Sequence, residues 1–91
     1  MKDLNKLRKK IDKIDKKMAS LYEERMEVAK DIALYKKENG LEVFNAAREQ
    51  EVISKNKENI SNPDLKNHYE EFIKEVMKES KDYQKEIIEK K

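Results

Sequence analysis

Leu4, Leu7, Ile11, Ile14, Met18, Leu21, Arg25, Val28, Ile32 and Tyr35 follow one another at alternating spacings of three and four residues. That is the heptad signature of an α-helix carrying one narrow stripe along its length. Nothing breaks it, because the only Gly is Gly40 and the only Pro is Pro63. Asp3 is placed to cap the start, and Asn39-Gly40 to stop the helix. Lys36 and Lys37 fall in the last turn, where the helix dipole favours cations. The helix is then roughly 50 Å long at about 1.5 Å per residue.

A seam of that length constrains the rest. The chain has 91 residues, enough for a single domain over 1–91. Hydrophobic residues make up 36% and charged residues 46%. This is a thin apolar supply for a compact monomer, and it suits long helices with broad charged faces. The second helix is expected from Glu42 or Val43 to about Lys57, with a weak stripe of Val43, Phe44, Ala46, Ala47, Val52 and Ile53. Asn62-Pro63 reads as the cap and first position of a third helix that ends near Glu89. Its inner face is expected to carry Leu65, Tyr69, Phe72, Ile73, Val76, Met77, Ser80, Tyr83, Gln84, Ile87 and Ile88. The third helix is long enough for about half to two thirds of the seam. The fold class expected is therefore all-α, three helices per chain, in a homodimeric bundle whose first helices pack along each other.

Composition excludes several functions. There is no Cys, and His68 is the only His, so neither a thiolate nor a His-rich metal site is expected. No apolar run approaches the roughly 18 residues of a membrane span, and no apolar signal segment is evident, so a cytoplasmic location is expected. The net charge is +2, and positive residues alternate with negative ones rather than forming a basic stripe. No nucleic-acid partner is expected.

Several residues break the apolar pattern. Arg25 occupies a seam position. Either it snorkels or pairs with a buried Glu, or it faces a cavity and binds an anion, for which its planar fork is suited. Ser80 and Gln84 interrupt the third helix one turn apart, as core polar residues or as neutral partners for a bound molecule. Arg48 and Glu49 read as a solvated turn or as site residues, and Lys36 as a dipole charge or a ligand. Arg8 lies 17 residues before Arg25, roughly 25 Å along one helix, so the two meet only if they come from different chains. No nucleophile stands with a base at a recognisable spacing, and the chemistry implied is binding and electrostatic preorganisation.

Taken together, Leu7-Arg8-x-x-Ile11-Asp12-x-x-Asp15 followed by Leu21, Arg25, Ala29 and Lys36, then Asn45-x-x-Arg48-Glu49, then Ser80-x-x-x-Gln84, resemble the all-helical (AroQ-class) chorismate mutases. The resemblance runs from Leu7 to Gln84. It implies an intertwined homodimer that isomerises chorismate to prephenate for aromatic amino acid synthesis, with no cofactor and no metal. By resemblance, Arg25 and the other chain's Arg8 hold substrate carboxylate. Lys36 meets a carboxylate and the ether oxygen, and Gln84 donates to that oxygen. Glu49 accepts from the ring hydroxyl, Ser80 helps hold the ring carboxylate, and Arg48 lines the site. Asn45 stands where the family pattern has Asp, keeping size and an acceptor but losing the charge. Isochorismate pyruvate lyase on the same fold, and a non-enzymatic helical dimerisation module, are the alternative readings.

Overall fold

The computed structural model describes residues 3–90. Helix α1 spans Leu4–Glu38, α2 spans Ala46–Glu58 and α3 spans Lys66–Glu89, with a short 3₁₀ turn at Pro63–Leu65. The described residues contain no strand. The ends follow the local chemistry. The Asp3 carboxylate accepts from the Asn5 amide at 3.0 Å. At the other end, Gly40 takes a φ of 63°, the left-handed region that favours glycine. The Asn62 side chain accepts from the Asp64 amide at 3.0 Å and opens the turn into α3.

The second helix starts later than its sequence suggests. Residues Val43 and Phe44 are outside it, and Asn45 is extended (φ −141°, ψ 102°). The Asn45 side-chain oxygen accepts from the Arg48 amide at 3.0 Å. An Asx cap satisfies a helix-end donor, and here that outweighs the apolar continuity of the preceding residues. Asn45→Ala is expected to cost about 1 kcal/mol of stability, while Asn45→Asp keeps the cap and favours the helix dipole. Thermal melts of the two variants check this ordering.

Helix α3 is the centre of the chain. Both α1 and α2 pack on it, and they do not pack on each other. The α2–α3 pair is antiparallel, with Glu49 beside Lys81 and Lys57 beside Glu70, both at ion-pair distance. The Tyr69 hydroxyl reaches Asn56 Oδ1 at 3.5 Å in the same interface. The Lys37 ammonium donates to the Ile88 carbonyl at 3.2 Å, so the C-terminal ends of α1 and α3 lie together.

The third helix does not cover the heptad seam. It packs instead on the neighbouring stripe of α1, where Ala29 and Ala33 are buried at 4% and 0% exposure. Alanines let two helix backbones approach closely, and the other buried hydrophobic residues described, Ile73 and Met77, are on α3. The seam one residue over stays open: Leu4, Ile11, Ile14, Met18, Leu21, Val28, Ile32 and Tyr35 are all exposed. Leu65 and Phe72, expected on the inner face of α3, are also exposed. The shape agrees with this. The Cα extents are 58 × 27 × 14 Å and the radius of gyration is 16.5 Å, against about 12 Å for a compact chain of this length. A layer so thin is one helix deep, where a stable domain has two.

Candidate functional site

Because α1 and α2 both lean on α3 without touching, a groove of about 550 Å³ runs between them. Arg25, Val28, Ile32 and Lys36 form the α1 wall, and Arg48, Glu49 and Val52 the α2 wall. Met77, Ser80, Lys81 and Gln84 of α3 form the floor, and Asn45 closes the end beside the α1–α2 connection. Seven of the residues singled out from the sequence, Arg25, Lys36, Asn45, Arg48, Glu49, Ser80 and Gln84, thus line one cavity. Arg8 does not. It is exposed on the N-terminal half of α1 and is not among the groove's lining residues.

Each polar group is held by a different local device. The Lys36 ammonium donates to the Val43 carbonyl at 2.8 Å, which ties the end of α1 to the connection. Ser80 and Gln84 are buried at 7% and 8% exposure, on the turn-to-turn spacing that stacks them on one side of α3. Gln84 Nε2 lies 3.1 Å from Ser80 Oγ, and Gln84 Oε1 is buried without a partner. Exchanging the amide's O and N keeps the contact with Ser80, whose hydroxyl then donates to Oε1, and makes Nε2 the unpartnered atom. Either way one buried polar atom of Gln84 has no protein partner, at a cost of about 1–3 kcal/mol that a bound molecule would relieve.

Arg48 behaves differently. Its guanidinium is turned outward onto Glu51, one turn away, and is 60% exposed. That hydrogen bond, with a further contribution from Lys55, holds the Glu51 carboxyl below its ordinary value. Glu49, in contrast, is turned inward and pairs with Lys81 at 2.9 Å. The sequence reading passed over Lys81, although it shares the stripe of Met77 and Gln84 at helical spacing. Amid 46% charged residues, a lysine beside Ser80 carries no signal of its own.

Arg25 and Lys36 make the α1 wall cationic, the floor carries the neutral Ser80 and Gln84 beside Lys81, and the one carboxylate of the lining, Glu49, pairs with Lys81 from the α2 wall. Such a lining suits a small polar anion with more than one acidic group and a hydroxyl. No curated protein and no solved structure matches the chain. A family model does, that of chorismate mutase type II, over residues 7–85. That match takes in the whole groove and the exposed half of α1 that carries Arg8, and on its extent the chain belongs to the chorismate mutase type II family.

Proposed function

We propose that the protein is a cytoplasmic chorismate mutase, acting as a homodimer on the dicarboxylate chorismate in aromatic amino acid biosynthesis. The observation that carries this reading is the groove that gathers Arg25, Lys36, Glu49, Ser80 and Gln84 from three helices. The reaction is a unimolecular [3,3]-sigmatropic shift. The ether C–O bond breaks, a C–C bond forms, and no proton is transferred. The protein's task is to hold the enolpyruvyl arm over the ring, and to stabilise the negative charge that grows on the ether oxygen. Arg25 takes one carboxylate bidentately. Lys36 bridges a carboxylate and the ether oxygen, Gln84 donates to that oxygen through Nε2, Glu49 accepts from the ring hydroxyl, and Ser80 supports the ring carboxylate.

The exposed seam supports the dimer. Leu4, Leu21 and Tyr35 are 57%, 63% and 62% exposed in a layer one helix deep. Apolar stripes of this kind are covered by a partner, and self-pairing of α1 needs no other protein. A second chain on the seam also roofs the groove, since Arg25, Val28 and Ile32 belong to both. It brings its Arg8 to this site, where the same chain's Arg8 does not line the groove. Sedimentation at micromolar concentration is expected to give a dimer. A stable, folded monomer overturns the shared site.

The deciding assay follows chorismate loss and prephenate formation. Release of pyruvate from isochorismate, with no prephenate made from chorismate, replaces the mutase reading with the lyase one.

A further inference from the structure

An ionised Glu49 is a difficulty for a groove that takes two carboxylates. Like charges in one enclosed site repel, and the repulsion is stronger where water is excluded. Something must offset it, and the cations of the groove divide that work unevenly. Arg48, on the same helix, is committed to Glu51. Lys36, on the opposite wall, is hydrogen-bonded to the Val43 carbonyl. Arg25 is also on the α1 wall. The cation that faces Glu49 is Lys81, at 2.9 Å, and both side chains are largely covered at 29% and 25% exposure. The other ion pair joining α2 to α3, Lys57–Glu70, does not line the groove. The Lys81 ammonium also sits 4.9 Å from the centre of the Phe44 ring, which closes a second side of it and narrows its rotamers.

We propose that Lys81 is a positioning residue for the mutase reaction, holding the Glu49 carboxylate as an aimed acceptor for the substrate hydroxyl and offsetting its charge as the dianion enters. This rests on the chorismate mutase reading above. The Glu49–hydroxyl contact exists in the bound substrate as well as in the transition state, so its loss is uniform binding loss. The signature of Lys81 is therefore in KM.

The test is a double-mutant cycle on chorismate turnover with Lys81→Met, Glu49→Gln and the double variant. Lys81→Met is expected to raise KM about tenfold, with kcat changed less than about threefold. Lys81→Arg keeps the ion pair and is expected to stay within about twofold of the parent. In the Glu49→Gln background, the Lys81→Met change is expected to shrink below about twofold, because its target is then neutral. Lys81→Gln repeats the cycle with a polar head should the methionine variant fold poorly. An equal KM penalty in both backgrounds overturns the proposal, since Lys81 then acts on the substrate or on the fold. So does a kinetically silent Lys81→Met. A folded parent without chorismate turnover sinks the mutase reading itself, and this proposal with it. An active parent with an additive cycle sinks this proposal alone.

Discussion

Arg25→Ala and Arg8→Ala are each expected to lower kcat/KM on the order of a thousandfold, about 4 kcal/mol of lost charge-assisted binding. Mixing the two inactive proteins is expected to restore activity. In the proposed twofold dimer each site takes Arg25 from one chain and Arg8 from the other. A heterodimer of the two variants then holds one site with both changes and one site with neither. Random subunit exchange at equal concentration makes half of the dimers mixed, so about a quarter of the parental activity returns. Arg25 lines the groove, and Arg8 is exposed on the same straight helix, roughly 25 Å away. No rotamer closes that distance. Confirmed subunit exchange with no recovered turnover removes the shared site, and full activity of the Arg8→Ala protein removes Arg8 from the chemistry.

The long helix was legible because its signal is a period, and a period survives any tertiary context. Ten positions at three-and-four spacing describe α1 from Leu4 to Tyr35, and the structure ends the helix at Glu38. What α3 packs against was not legible in the same way. Ala29 and Ala33 carry little hydrophobic signal beside Val28 and Ile32, yet small side chains are what permit a close helix crossing. The seam that looked like a face for α3 is left open, and the residues that look neutral form the core. The start of α2 shows the same limit at the local level. A run of Leu41, Val43 and Phe44 favours an earlier start, and one hydrogen bond from Asn45 decides otherwise. For the groove, residue type was enough to single out Arg25, Ser80 and Gln84, because each breaks an apolar stripe. It was not enough for Lys81, whose charge is ordinary in this composition. Its role depends on α2 running antiparallel beside α3, a pairing that no spacing in the sequence states.

Gln84→Glu is expected to turn a donor that ignores pH into one that works only in acid. A carboxamide does not titrate, so in the proposed role the parent's Nε2 donates to the ether oxygen at any ordinary pH. The variant has nearly the same shape, and its protonated carboxyl still donates one hydrogen bond. Once ionised, it sets a negative charge against the oxygen that is gaining one, and the same interaction changes sign. The surroundings pull its titration both ways. Arg25, Lys36 and Lys81 favour the ionised form, whereas Glu49 and the substrate's two carboxylates favour the protonated one. The direction of the pH dependence does not depend on which side prevails. Activity relative to the parent is expected to rise as pH falls, by about thirtyfold or more between about pH 8 and pH 5 for any midpoint at or below about 6.5. Ser80 sharpens the test. Its hydroxyl is 3.1 Å from the amide and accepts or donates as needed, so it supports the parent's amide and either form of the variant's carboxyl without favouring a new geometry. A loss of activity that is equal at pH 5 and pH 8 therefore reports packing alone, and it takes Gln84 out of the ether-oxygen role.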